Sequence, residues 1–436
     1  MPVLFQNSLP RRLALTVLAA AWVVGATAAV EAQQADPPRR QTQQQQQKPP
    51  AKPRPGATAP KATTPAAKAE AKPEALPPSQ IGIGTLARQA FMVDPQTSTV
   101  LLFKDADKPM APSSMAKMMT IYIVFDELNA GRLKLDTRFR VSEKARNMGG
   151  SRMFVELGSE VTVEDLIKGM IVLSGNDACV VVAEGLSGTE ESFAERMNAK
   201  ARELGMVGSV FKNASGWPAE GQHTTARDLA VLSWRTIEDF PKLYRYYSES
   251  NWTYNNIRQD NRNRLLRTVA GTDGLKTGHT EEGGYGQSAS AVRDGRRLIL
   301  VVNGLNSMAE RANETARLME WGFRESTNTT VFRAGDTVVE APVWLGTQDK
   351  VPLVVAKPVQ VTAPAGQSIS PRVVARFDGP INAPIAKGTR LGTAALTLPD
   401  NRVVEYPLEA GADVPRLGVF GRVAGTIRHY LFGWWS

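Results

Sequence analysis

Pro112-Ser113-Ser114-Met115-Ala116-Lys117-Met118-Met119 is the stretch around which this chain is read. A serine and a lysine three residues apart, at the start of a helical pattern, share one helix face. A serine hydroxyl is too weak an acid to attack a carbonyl unaided, and an amine at that spacing can take its proton. The helix start adds positive partial charge and free backbone N–H groups beside the serine. Ser114 is therefore a candidate nucleophile and Lys117 its candidate base. The spacing alone is weak evidence, because Ser209-Val210-Phe211-Lys212 repeats it. The partners elsewhere in the chain have to decide.

Upstream, Arg88 to Val93 and Thr99 to Phe103 read as strands around the turn Asp94-Pro95-Gln96, a hairpin leading into the Ser114 helix. That helix continues through Met118, Ile121, Val124 and Leu128 at core-facing spacing and stops at Gly131. Residues 138–270 read as mostly helical, with helices over Val163–Leu173, Asn176–Leu186, Glu190–Leu204 and Ala226–Ile237. Met148-Gly149-Gly150-Ser151-Arg152-Met153 forms a bent loop among them. Strands return at Tyr285–Val292 and Arg297–Val302, joined by the tight turn Arg293-Asp294-Gly295-Arg296, and Glu310–Phe323 closes as a helix. This order predicts an antiparallel sheet flanked by helices, with a helical insertion.

Two further segments supply the partners. Ser174-Gly175-Asn176 falls at a junction of two helices. Lys276-Thr277-Gly278-His279 follows the turn residues Thr272-Asp273-Gly274 and precedes the strand at Tyr285. Ser-x-Asn recurs at Ser326-Thr327-Asn328, but Lys-Thr-Gly occurs once. The three motifs in this order are those of serine acyl-transfer enzymes. Chemistry then divides the work. Ser114 forms an acyl-enzyme, and Lys117 acts as free amine, its pKa lowered by burial or by a neighbouring cation such as Lys276. Ser174 relays a proton toward the leaving amine, and Asn176 bonds a substrate amide or orients Lys117. Backbone N–H groups of Ser114 and His279 make an oxyanion hole. Lys276, Thr277, Gly278 and His279 present charge and hydrogen bonds to a substrate carboxylate.

With these residues in hand, the chain resembles the low-molecular-mass penicillin-binding proteins that act as serine D-alanyl-D-alanine carboxypeptidases. The likeness rests on Ser114 to Met119, Ser174 to Cys179 and Asp273 to Thr280. Gly221 to Asp228, Asn261-Arg262-Asn263 and Trp321-Gly322-Phe323-Arg324 add to it. It implies an α+β fold: a penicillin-binding/β-lactamase-like domain, then a small β-sandwich and a C-terminal amphipathic helix. It also implies removal of the terminal D-Ala from the pentapeptide stem of peptidoglycan, inhibition by β-lactams, and no cofactor. Arg311, ten residues before Trp321, falls where the family places an arginine near the substrate's terminal carboxylate. The chain departs from the family in Met115-Ala116, where Leu-Thr is common, and in its long N-terminal tether. A serine β-lactamase or a peptidoglycan endopeptidase would use the same site. The β-lactamase reading lacks its deacylating glutamate, and neither rival calls for the extra β domain. A Ser-His-Asp triad through His223 or His279 is a less economical account. Zinc hydrolysis is disfavoured by three histidines and one cysteine without ligand spacing, so no metal is expected.

The ends of the chain carry its charge. Residues 1–32, 33–79 and 415–436 hold +1, +5 and +3, which accounts for the whole net charge of +9. The body is neutral, which argues against nucleic acid as partner. Residues 1–32 read as a signal peptide with cleavage near Ala32, or else as a retained anchor. Residues 33–79, rich in Gln, Pro, Ala and Lys, read as a disordered linker. The catalytic domain is expected over 80–328. A β-sandwich is expected over 329–412, from the short runs at Thr329–Phe332, Val338–Val343, Val351–Val355, Val373–Phe377 and Val403–Tyr406. An amphipathic helix over 413–436 follows, with Leu417, Phe420, Ala424, Ile427, Leu431 and Trp434 on one stripe and Arg416, Arg422 and Arg428 elsewhere. The protein is thus expected to be exported and held peripherally on the periplasmic side of the cytoplasmic membrane. Cys179, the single cysteine, excludes an intrachain disulfide.

Overall fold

The computed structural model describes residues 83–367, 369, 371–398, 403–421 and 423. The signal peptide, the linker and most of the C-terminal helix expected from the sequence lie outside the described residues.

The first half of the described chain opens with strands β1 (Gln89–Asp94) and β2 (Thr99–Lys104). A single 3-10 turn, Ser113–Ala116, leads into α1 (Lys117–Asn129). A helical lobe follows: β3 (Arg138–Arg140), α2 (Glu143–Asn147), β4 (Glu160–Thr162), α3 (Val163–Ile171), α4 (Asn176–Ser187), α5 (Glu190–Glu203) and α6 (Ala226–Asp239). The chain then returns through β5 (Asn251–Tyr254), β6 (Ile257–Asp260), α7 (Leu265–Thr268), β7 (Thr272–Thr280), β8 (Gly284–Arg293), β9 (Arg296–Leu305) and α8 (Met308–Glu325). Threonines or serines cap α2, α3, α5, α6 and α8, each accepting from the N–H three residues on, as at Thr225 and Asp228 (3.0 Å).

Five strands form one antiparallel sheet in the order β2-β1-β9-β8-β7. Its central strands are buried on both faces, and alternation sorts their side chains. Phe91, Val93, Ile299 and Val301 face the large core shared with α1, α4 and α6. Ala90, Met92, Leu298, Leu300 and Val302 face Leu318, Met319 and Trp321 of α8. The β8–β9 turn places Asp294 and Gly295 at φ +50° and +78°, the left-handed pair that an Asp-Gly hairpin turn requires.

Two sequence expectations are corrected. Thr272-Asp273-Gly274 is not a turn, and Lys276 to His279, although it precedes the strand holding Tyr285, is itself strand: both belong to β7, an edge strand of the sheet. Glycines at 274 and 278 disguised it. Gly278 lets the strand close in on the 3-10 turn, since a Cβ there would sit 3.0 Å from Ser113 Cβ and 3.2 Å from Met115 Cγ and push both neighbours back. Ser114 itself lies in the 3-10 turn, three residues before Lys117, which begins α1.

Between α8 and residue 410 the regular elements among the described residues are strands only: β10 (Ser326–Phe332), β11 (Thr337–Trp344), β12 (Lys350–Val355), β13 (Val359–Pro364), β14 (Arg372–Phe377), β15 (Ile381–Asn382), β16 (Arg390–Thr397) and β17 (Val403–Ala410). A six-stranded sheet (β14-β16-β17-β12-β11-β15) and the β10-β13 pair share one core of Ala341, Leu353, Val361, Leu396 and Leu408. The sequence reading missed β13, β15 and β16. Asp94, wholly buried, ties this region to the sheet: it accepts from Arg296 Nε (2.8 Å) and from Asn328 Nδ2 (2.8 Å), while Arg296 Nη2 donates to Ser326 Oγ (2.8 Å). The second Ser-x-Asn is therefore a structural junction. The second Ser-x-x-Lys is structural too: Ser209 donates to Asp228 Oδ2 (2.7 Å), and Lys212 is exposed.

Candidate active site

The nucleophile candidate is held by a compressed turn. Ser113 sits at φ +49°, and Gly216, at φ +77°, packs against its carbonyl so closely that a Cβ would collide with it. Ser114 follows half-buried at the base of a cleft of about 690 Å³. Lys117 is wholly buried behind it. Its Nζ lies 2.8 Å from Ser114 Oγ and 2.7 Å from both Asn176 Oδ1 and the Ser215 carbonyl. A neutral amine has two N–H bonds and one lone pair. The two carbonyl oxygens, which can only accept, take the two N–H bonds, so the lone pair is left facing the serine hydroxyl. Burial lowers the Lys117 pKa to about 8, against the raising effect of Cys179 and Asp177.

The Ser174 motif comes from the α3–α4 junction. Ser174 is at φ +61°, and its Oγ accepts from Lys276 Nζ (2.9 Å). Asn176 also donates from Nδ2 to the Gly149 carbonyl (2.8 Å). The buried carboxylate of Asp177 accepts from the N–H groups of Met153 (3.0 Å) and Phe154 (2.9 Å). The bent loop is thereby sewn to the start of α4, with Gly150 and Ser151 on the cleft wall. Cys179 is buried in α4, and its thiol is pushed up to about 12 by burial.

Strand β7 forms the opposite wall. Lys276 is buried, and its pKa is pushed well below the ordinary 10.5 by burial first and then by Lys117, Arg262 and Arg311. Of the two causes anticipated for Lys117, burial acts on Lys117 and cation repulsion acts on Lys276. Thr277, Gly278 and His279 line the cleft, and the His279 ring stacks on Tyr285 with centroids 3.9 Å apart. Arg311, from α8, lines the same cleft although it is only 5% exposed. Nη1 donates to the Gly278 carbonyl (3.4 Å), and Nε has no protein partner. Burial lowers its pKa to about 10. All nine residues singled out from the sequence gather at this one place. His223 does not: its Nδ1 lies 3.1 Å from the Gly221 carbonyl, and it is absent from the cleft wall.

The sequence reading gave no role to Ser215, Trp217, Arg262, Glu281, Glu282 or Tyr285, all of which line the cleft. Ser215 meets Lys117 through its main chain, which no residue type announces. Arg262 was visible only as part of Asn261-Arg262-Asn263.

A cleft-facing serine with a buried lysine, a second serine–lysine pair across from it and an edge strand alongside defines a serine acyl-transfer enzyme of the penicillin-binding class. The family described as D-alanyl-D-alanine carboxypeptidase matches residues 77–307, and the penicillin-binding protein 5 C-terminal domain matches residues 327–416. The chain belongs to the D-alanyl-D-alanine carboxypeptidase family. It is 37% identical over 360 residues to the D-alanyl-D-alanine carboxypeptidase DacC of Escherichia coli, covering 80% of this chain and 90% of that protein. Its structure resembles penicillin binding protein 5 from Haemophilus influenzae with a TM-score of 0.70 at 33% identity, over 77% of this chain and 99% of that one. It also resembles penicillin-binding protein D2 from Listeria monocytogenes in its cefotaxime-bound form, with a TM-score of 0.52 at 30% identity, over 56% and 100% of the two chains. These likenesses do not favour a β-lactamase or an endopeptidase.

Proposed function

We propose that this serine D-alanyl-D-alanine carboxypeptidase removes the terminal D-Ala of the peptidoglycan stem pentapeptide through an acyl-enzyme at Ser114. The observation that carries this reading is the coordination of Lys117, whose two carbonyl partners leave its lone pair for the Ser114 proton. Ser114 Oγ attacks the carbonyl carbon of the penultimate D-Ala as its proton passes to Lys117 Nζ. The oxyanion is received by the N–H groups of Ser114 and His279. As the C–N bond breaks, the proton moves from Lys117 through Ser174 to the departing amine of D-Ala. Water then attacks the ester carbonyl as Lys117 takes its proton, and Lys117 returns that proton to Ser114 Oγ as the acyl C–O bond breaks and the shortened peptide leaves. Lys276, Thr277, Gly278 and Arg311 hold the terminal carboxylate, and the unpartnered Nε of Arg311 supports that role.

The same chemistry makes a β-lactam an acylating inhibitor, so the test is intact mass after incubation with benzylpenicillin, followed by peptide mapping. An adduct on Ser114 is expected. An adduct that survives in Ser114→Ala would overturn the assignment.

For the rest of the chain, we read residues 1–32 as a signal peptide, 33–79 as a linker, 80–328 as the catalytic domain and 329–412 as a β spacer. Residues 413–436 form the surface-seeking anchor that keeps the protein on the periplasmic face of the membrane. The support is the basic, apolar-striped sequence of that last segment. Among the described residues no helix is long and apolar enough to cross a membrane.

A further inference from the structure

Beyond His279, strand β7 runs through Thr280 into the turn Glu281-Glu282-Gly283, and both glutamates line the substrate cleft. They also line an adjoining depression of about 620 Å³, which shares His279 and Tyr285 with the cleft. Both are exposed, and among the described residues neither carboxylate lies within 4.0 Å of a cationic side chain. Arg88, which also lines the depression, is committed elsewhere: its Nη2 donates to the Glu282 main-chain carbonyl (3.1 Å). The cleft is therefore polarised along β7. Lys276, Arg262 and the almost fully buried Arg311, whose Nε has no partner, lie toward one end, and two unpaired carboxylates lie at the other.

We propose that Glu281 and Glu282 form a subsite for a protonated amine on the side chain of the stem-peptide residue two places upstream of the scissile bond. The proposal rests on the carboxypeptidase reading above and extends it to the acyl-donor side. The orientation follows from charge. The terminal carboxylate is drawn to Arg311 and Thr277, and the scissile carbonyl must lie at Ser114. A peptide lying along edge strand β7 then sends its upstream residues past His279 toward position 281. A strand advances roughly 3.3 Å per residue, so the third residue from the C-terminus comes within a flexible side chain's reach of that turn. An ammonium group there meets two carboxylates, and a neutral side chain meets none. Exposed ion pairs are individually weak, and salt screens them.

The test compares two peptides, Nα-acetyl-L-lysyl-D-alanyl-D-alanine with a free ε-amine and its Nα,Nε-diacetyl analogue, by kcat/KM for release of D-alanine from the full chain. The expected ratio favours the free amine by about threefold to tenfold at low salt. It should fall toward one in 0.5 M salt and also in the Glu281→Gln/Glu282→Gln double variant. Because the readout is a ratio within one protein preparation, a partial loss of folded enzyme cancels. A ratio of one in the unmodified protein, or a preference that the double variant keeps, overturns the subsite. Cleavage of neither peptide by protein that still takes up penicillin overturns the carboxypeptidase reading and the subsite with it.

Discussion

The buried Nζ of Lys276 donates to Ser174 Oγ at 2.9 Å, joining edge strand β7 to the α3–α4 junction across the cleft. This bond fixes the rotamer of the hydroxyl proposed to pass a proton to the leaving amine. Ser174→Ala is expected to slow acylation by benzylpenicillin about 10²-fold, the lower end of what a positioned proton-transfer group contributes. Stopped-flow labelling measures it, and an unchanged rate in a folded variant would remove Ser174 from the proton path.

A base must be unprotonated to act. With its pKa near 8, Lys117 is mostly ammonium at pH 7 and mostly amine at pH 9. The acylation rate constant should therefore rise about tenfold per pH unit below 7 and level off above about 8.5. Lys117→Arg, which keeps its proton throughout this range, should show no acylation between pH 6 and 10. A flat profile in the unmodified protein would contradict the assignment of Lys117 as base.

Gly216 packs in the left-handed region against the Ser113 carbonyl. Gly216→Ala combines backbone strain with a collision against main chain, and a loss of about 2–4 kcal/mol in stability is expected. The urea midpoint reports it. Penicillin labelling should fall even where the variant remains folded, because Ser113 positions Ser114.

At the junction with the β region, Asp94 is fully buried and Arg296 nearly so. Asp94→Ala leaves the guanidinium without its carboxylate and removes the acceptor of Asn328. A destabilisation of about 3–5 kcal/mol is expected from thermal or urea unfolding. A loss below 1 kcal/mol would show that the junction relaxes freely.

Residues 415–436 contain Arg416, Arg422 and Arg428 and no acidic residue. Each basic residue near an anionic leaflet contributes on the order of 1 kcal/mol, beyond apolar burial. Deleting them should release signal-cleaved protein from anionic liposomes while hydrolysis of a soluble D-Ala-D-Ala peptide continues. Continued co-sedimentation would shift the anchor to the basic segment 33–79.

What the sequence determined by itself is whatever chemistry and periodicity write locally. The Ser-x-x-Lys, Ser-x-Asn and Lys-Thr-Gly motifs name their own side chains, continuous apolar runs mark β1 and β9, and Asp294-Gly295 marks the hairpin that joins β8 to β9. Strand β7 escaped because, as an edge strand pressed against a 3-10 turn, it carries glycine, which erases the apolar alternation by which strands are recognised. β13 escaped because Pro358 and Pro364 bracket it, and β16 because Gly392 and two alanines interrupt its apolar pattern. Only the tertiary structure decided which copy of each motif meets the cleft. Ser209 and Asn328 have the right letters, but Asp228 and Asp94 claim them as structural partners. It also decided that Lys117 is dry enough to lose its proton, that the Ser215 main chain completes its coordination, and that Glu281 and Glu282 stand unpaired at the far end of the strand. Burial and close approach are sums over segments far apart in sequence, here Ser114, Asn176, Ser215, Lys276 and Arg311, and they come into being only when the chain closes on itself.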